Sequence, residues 1–219
     1  MSAFSKAGDQ EQSLYDAVLD EISTGKLAAG QRLKVSELAK RYGVSTSPVR
    51  EVLRLLQGEG FVEIHPNRGA VVKHANASTI QNIFEVLQLL EPYFVTWFAD
   101  YAQSEMIDEM EEIQRRIEEL PTGNLNEFRK LDFEFHWSIC RRHYNHVAAD
   151  LWKKLRTALN VHGAKLKISP VRHQAIMDEH RELLAAFRAN DAARAEAVIN
   201  KHVAGSFTQM SQQMRALGL

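Results

Sequence analysis

The run Gly43-Val-Ser-Thr-Ser-Pro-Val-Arg-Glu-Val-Leu-Arg54 constrains this chain more than any other stretch. Gly43 admits a sharp turn. Ser45 offers a side-chain oxygen that can accept a backbone N–H two or three residues on, as a helix N-cap does. Pro48 then falls in the first turn, where its missing N–H leaves no helical bond unmade. Val49, Val52, Leu53 and Leu56 recur at helical spacing and face a core. Thr46, Ser47, Arg50 and Arg54 are left at the helix start or on its polar face. A recognition helix presents donors to phosphates and base edges from those positions.

The flanking segments complete that unit. Residues 1–10 read as a mobile arm without the apolar core of a signal peptide. An amphipathic helix is predicted from about Glu11 to Thr24, with Leu14, Val18, Leu19 and Ile22 as its stripe and Gly25 as its stop. Lys26 to Leu33 reads as a turn and a short extended piece, and Ser36 to Tyr42 as a second helix. The recognition helix covers about Ser45 to Gln57. Phe61 to His65 alternates as a half-buried strand does, Pro66 to Gly69 is a turn, and Ala70 to Lys73 returns. Three helices followed by a two-stranded hairpin over residues 11–74 make a winged helix-turn-helix, in which Arg68 at the hairpin tip is either a solvated turn residue or, the reading preferred here, a wing side chain entering a neighbouring minor groove.

Charge supports this placement only locally. The 219-residue chain has a net charge of −1, so no global basic field marks a nucleic-acid binder. From Arg32 to Lys73, however, there are eight Lys/Arg against four Asp/Glu. The single cysteine, Cys140, excludes an internal disulfide and suits a reducing cytoplasm. No apolar run approaches the ~20 residues of a membrane span.

Beyond a linker at residues 75–77, strand signals nearly vanish. Helices are predicted over about Ser78 to Gln103, Ser104 to Leu120, Leu125 to His143, Asn145 to Ala164, Val171 to Ala189 and Asp191 to Ala216. The first is apolar over much of its girth and packs against more than one neighbour. The fold class is therefore mainly α, a winged helix-turn-helix followed by an all-α bundle over residues 78–219.

That bundle turns polar groups inward. The apolar stripe Phe128, Leu131, Phe135, Ile139 contains Asp132 and His136, one turn apart on one face. His180 interrupts the stripe Ile176, Leu183, Leu184, Phe187, and His202 the stripe Val198, Ile199, Val203, Phe207. Asp191 is a good N-cap at the turn between the last two helices. His180 lies 11 residues before it and His202 11 after. In an antiparallel hairpin both then sit at one height, roughly 16 Å from the turn. A lone inward histidine is ordinarily a satisfied core side chain. For one carboxylate and three imidazoles together, a divalent metal is the economical explanation, because it relieves the burial cost of all four. Such donors suit zinc, nickel, cobalt, iron or manganese better than magnesium or calcium, with zinc, nickel and manganese foremost. Four protein ligands leave one or two positions open for water or a ligand carboxylate if the metal is five- or six-coordinate. His65, His74, His143, His146, His162 and His173 lack this context and default to surface or turn positions.

These motifs resemble those of the GntR family of bacterial transcription regulators. The N-terminal resemblance, about Leu14 to Val72, rests on Gly25-Lys-Leu-Ala-Ala-Gly30, Leu38-Ala39, the Gly43–Leu53 run, Glu59-Gly60-Phe61-Val62 and Asn67-Arg68-Gly69. The remainder resembles the helical FCD effector domain of the FadR-like subgroup, through Asp132-Phe-Glu-Phe-His136, Asn145, His180 and His202. About 145 residues after the linker resemble the shorter, six-helix VanR-type version. The resemblance implies a homodimer on a pseudo-palindromic operator. It implies that Asp132, His136, His180 and His202 are metal ligands, with a small carboxylic acid effector bound beside the metal. Arg50 matches a family arginine that contacts DNA, and Gly69 the wing-tip glycine.

Two departures stand out. Thr46 occupies the position of a frequent family arginine, and a bidentate arginine–guanine contact carries ~1–3 kcal/mol of discrimination. Leu87 occupies the position of an arginine that commonly holds the effector carboxylate. Either the effector is less acidic, or Arg172 or Lys165 compensates. The sequence reading is thus a cytoplasmic, ligand-responsive DNA-binding regulator, with repression as the expected sense of control. Its rivals are a metal-dependent enzyme using the Asp/His3 site and a regulator whose metal is purely structural.

Overall fold

A computed structural model describes residues 3–66, 69–73, 77–121, 123–163 and 166–218, with side chains from residue 13 onward within them. The chain divides into two compact units. One comprises Met1–Asn76 with Asn160–Lys165, and the other Ala77–Leu159 with Leu166–Leu219. Residues 160–165 thus group with the first unit, where the sequence placed the whole of 78–219 in one domain. His74 and most of the expected linker lie outside the described residues.

In the first unit, α1 spans Ala3–Ser23, β1 Arg32–Leu33, α2 Val35–Tyr42, α3 Thr46–Gly58, β2 Val62–His65 and β3 Gly69–Val72. Helix α1 begins at Ala3, ahead of the start near Glu11 that the sequence suggests. Gly43 adopts the left-handed conformation expected of it, with φ 67°, and its N–H returns to the Ala39 carbonyl to close α2. Ser45 holds the N-cap position of α3 in extended geometry, but its side chain makes no capping bond, contrary to the sequence reading. Val49, Val52, Leu53 and Leu56 are buried, as are Leu14, Val18 and Ile22 of α1 and the sheet residues Leu33, Val62 and Val72, and α3 packs on α1 and β2.

The sheet has three strands rather than two, in the order β1-β3-β2, both pairs antiparallel. The extended piece before α2 pairs through Arg32 with Val71 and through Leu33 with Ala70. Gly69 opens β3 opposite His65 with φ 83°, and a side chain there would run into the Leu33 carbonyl oxygen. This glycine is required twice over, by its backbone angle and by the close passage of β1.

In the helical unit, α4 spans Ala77–Tyr101, α5 Ser104–Glu118, α6 Leu125–Cys140, α7 His146–His162, α8 Pro170–Arg188 and α9 Ala192–Leu217. Helix α4 packs most extensively on α9, and α8 lies along α9 as the antiparallel partner. Asp191 caps α9 by accepting from the Arg194 N–H at 3.0 Å. Asn190 makes the turn with a positive φ of 50°. Asn124 and Ser169 cap α6 and α8 through the Glu127 and Arg172 N–H groups. Among the described residues, no helix is long and apolar enough to cross a membrane.

His143 lies in the turn between α6 and α7, one of the positions expected of it, but not at the surface. It is buried among Tyr93, Phe94, Trp97 and Tyr144, with ring centroids 4.3–5.1 Å away.

Candidate metal centre and nucleic-acid interface

Helices α6, α8 and α9 bring Asp132, His136, His180 and His202 together. One donor atom from each lies within 4.8 Å of the others. The equal spacing of His180 and His202 from Asp191 therefore does place them at one height across the α8–α9 hairpin. The three imidazoles are 0–2% exposed, and their ring centroids lie 4.9–5.2 Å apart. His180 is also stacked on Phe135 at 4.0 Å, which fixes the plane of its ring.

Outer partners orient two of the rings. Gln114 on α5 donates from Nε2 to Glu118 at 2.8 Å, so its Oε1 is the acceptor facing His180 Nδ1 at 2.9 Å. The Glu179 carboxylate, which can only accept, lies 3.0 Å from His202 Nδ1. Both rings therefore carry the proton on Nδ1 and present the Nε2 lone pair. His180 Nε2 has no hydrogen-bond partner and lies 3.6 Å from Asp132 Oδ1. Both nitrogens of His136 are also unpartnered, and Glu91 Oε2 approaches its Nδ1 at 3.5 Å. Buried nitrogens with no partner are rare unless something is bound to them.

Electrostatics favour neutral, ligating imidazoles. Burial, reinforced by the neighbouring histidines, pushes His180 well below its ordinary pKa. Burial lowers His202 too, against the opposing pull of Glu179. Burial alone would raise the Glu91 carboxyl, but His136, Arg156 and the Trp152 Nε1–H bond outweigh it and hold it at about 2. Arg156 Nη2 binds Asp132 Oδ2 at 2.7 Å and leaves Oδ1 toward the histidines. One anionic oxygen and three imidazole nitrogens in this spacing fit a divalent transition metal.

Gln114, Glu179, Glu91 and Arg156 were not singled out in the sequence. Glu91 and Glu179 carried a signal, because each is an acid lying in line with buried apolar residues of its helix (Leu87 and Phe94; Ile176 and Leu183). Of the residues expected to meet an effector, Leu87 is 1% exposed, and Lys165 lies outside the described residues. Arg172 is buried, and both its terminal nitrogens are engaged by Glu179, the His202 carbonyl and Ser206.

In the first unit, Thr46, Ser47, Arg50 and Arg54 are all exposed. Thr46, Arg50, Arg54 and Gly69 line a cleft of about 490 Å³ with Arg32, Lys34 and His65, while Ser47 lies outside it. Arg54 pairs with Glu51 at 2.6 Å and Lys34 with Glu37 at 2.7 Å. Arg50 makes no ion pair among the described residues. The wing candidate Arg68 falls outside them.

The comparisons with known proteins agree with this two-part architecture. The family described as "Bacterial regulatory proteins, gntR family" matches residues 10–72, and the FCD domain matches residues 82–205. The chain belongs to the GntR family of bacterial transcription regulators, of the kind that carries an FCD domain. It is 28% identical to the HTH-type transcriptional regulator LutR of Bacillus subtilis over 83% of this chain and 92% of that one. It is 24% identical to the gluconate operon transcriptional repressor of Bacillus licheniformis over 78% of this chain and 72% of that one. The fold matches E. coli McbR/YncC with a TM-score of 0.81 at 20% identity, covering 93% of this chain and 98% of that one. It is a DNA-binding transcription regulator, and its family matches and curated relatives are transcription regulators rather than enzymes, which tells against the metalloenzyme alternative.

Proposed function

We propose that this regulator is a cytoplasmic repressor that binds a pseudo-palindromic operator as a homodimer. Asp132, His136, His180 and His202 hold a divalent transition metal, zinc, nickel or manganese, and a small organic acid binds beside it. The observation that carries this reading is the convergence of four metal-type donors within 4.8 Å, with buried imidazole nitrogens that meet no protein partner. In the first unit, Arg50, Arg54 and Thr46 contact DNA, with Ser47 on phosphate and Arg68 and Gly69 forming the wing. The side chain at position 87 is apolar and Arg172 is engaged internally. The effector carboxylate is therefore held chiefly by the metal's open position.

The proposed mechanism is linkage. The effector binds one arrangement of the helical domains more tightly, and that arrangement changes the spacing of the two recognition helices. It shifts DNA binding only by its differential affinity for the two arrangements. The test combines elemental analysis with gel shifts on a DNA fragment selected by the protein from a random pool. Expected are a transition metal near one equivalent per chain, its loss in His180→Ala and His202→Ala, and release of DNA by a carboxylic acid only in the metal-loaded protein. Full metal occupancy in either variant would refute the ligand set. Indifference of the loaded protein to a broad panel of carboxylic acids would leave the metal a structural role.

A further inference from the structure

The interior of the α8–α9 hairpin holds a closed circuit of polar groups behind one of the four donors. Arg172 donates from Nη1 to both oxygens of Glu179, at 3.1 and 2.9 Å. Glu179 Oε2 accepts from His202 Nδ1 at 3.0 Å. Arg172 then returns to the same histidine through Nη2, which donates to the His202 carbonyl oxygen at 2.8 Å and to Ser206 Oγ at 3.0 Å. The guanidinium lies flat in a slot left by Gly205, where a Cβ would come within 2.7 Å of Nη1 and 2.9 Å of Cζ.

We infer that Arg172, Glu179 and Gly205 are positioning residues for the metal, acting through His202. The inference rests on the metal reading given above. A carboxylate cannot donate, so it fixes the Nδ1–H form of His202 and leaves Nε2 free to coordinate. Held alone, a buried carboxylate would be costly and free to turn. Arg172 neutralises it, fixes both its oxygens and anchors the backbone of the histidine it serves. The absence of a side chain at residue 205 is what lets a planar guanidinium fill this place. Lysine has neither the plane nor enough paired donors to make these bonds. Arg172 Nε alone lacks a partner among the described residues, and one N–H is not the paired fork with which arginine grips a carboxylic acid. The residue that looked like an effector clamp thus serves the ligand shell. His180, by contrast, leans on the neutral amide of Gln114. The charged acceptor behind His202 gives that ligand the greater basicity of the two.

The test uses the full chain, stripped with chelator and titrated with cobalt(II), followed by its visible absorption and by zinc competition. Outer partners of metal-bound histidine are typically worth 10–100-fold in affinity, and Glu179→Gln is expected to weaken binding by about that factor. Gly205→Ala keeps all four ligands and Glu179, yet displaces the guanidinium; a loss of about 10-fold is expected. The double change Glu179→Leu with Arg172→Leu removes both charges together, so that no unpaired ion is left to unfold the apo-protein. Long-range nitrogen NMR on the apo-protein reads the His202 tautomer directly. Nδ1–H is expected in the wild type and a mixture in the double variant. Wild-type metal affinity together with an unchanged tautomer in a folded double variant would overturn the inference. A wild-type chain that takes up neither cobalt nor zinc would overturn the metal reading and this inference with it.

Discussion

Arg156 and Asp132 meet at 2.7 Å through Nη2 and Oδ2, and this pairing divides the carboxylate between two duties. One oxygen neutralises the arginine, while the other faces the histidines, 3.6 Å from His180 Nε2. The two side chains are only 12% and 16% exposed. Removing one partner therefore leaves a poorly solvated charge. Asp132→Ala is expected to lower apo-protein stability by about 3 kcal/mol, the low end for a broken buried pair. Adding Arg156→Met is expected to restore most of that stability and none of the metal affinity. Chemical denaturation beside metal titration separates the two effects, and a double variant as unstable as the single would show that Arg156 is not the group left exposed.

Arg50 stands on the polar face of α3 with no ion pair among the described residues, unlike Arg54, which Glu51 engages. Arg50→Ala is expected to weaken binding to selected DNA by about 1–3 kcal/mol with thermal unfolding unchanged. Arg54→Ala is expected to cost less. A gel-shift titration showing equal affinity for wild type and Arg50→Ala would remove Arg50 from the interface.

Gly69 cannot carry a side chain without meeting the Leu33 carbonyl, and its φ of 83° is strained for any other residue. Gly69→Ala is expected to cost about 1–3 kcal/mol, the usual scale of local backbone strain, and to loosen β1 from β3. Hydrogen exchange at the Ala70–Val72 amides reads that loosening. Protection equal to wild type would show that the strand pair accommodates the methyl.

His143 is buried among aromatic rings, and its Nδ1 accepts from the Asn145 N–H at 3.0 Å. Protonating Nδ1 would set two donors against each other, and burial and then His146 already push this imidazole below its ordinary value of 6.5. The unfolded chain therefore takes up its proton first as pH falls. The stability contributed by neutral His143 is present above about pH 6.5 and declines as acid is added below it. An NMR titration should find the His143 ring still largely neutral at pH 6.5. His143→Phe should flatten this part of the pH–stability curve. Titration of His143 at or above 6.5 would contradict the expectation.

Legibility in the sequence followed the range of the signal. Helix α3 and the quartet were readable because Val49, Val52, Leu53 and Leu56, like Asp132 and His136, repeat at helical spacing, and because Asp191 fixes the height of His180 and His202. Strand β1 was missed as part of the sheet. Two residues, Arg32 and Leu33, carry no period, and their pairing with Val71 and Ala70 is set far along the chain. Ser45 has the composition of a capping residue, yet local geometry leaves its oxygen unused. Gln114 and Arg156 lie in line with buried residues of their helices (Met110 and Ile117; Trp152 and Leu159), so their spacing marked them as inward, but their partners His180 and Asp132 come from other helices. Arg172 was noticed as a carboxylate binder, and the carboxylate it meets in the structure is that of Glu179, reached only once α8 is coiled.

Cys140, the chain's single cysteine, is buried, so no disulfide braces the helical unit. The four donors come from α6, α8 and α9, and an ion seated among them closes one long loop of chain from Asp132 to His202. Closing a long loop restricts the unfolded chain as a covalent cross-link does, but the clasp proposed here would open and shut with the supply of metal. On the proposed metal reading, a chelator would act on this protein as a reductant acts on a secreted one. The firmness of the helical unit would then follow the supply of metal, before any effector arrives.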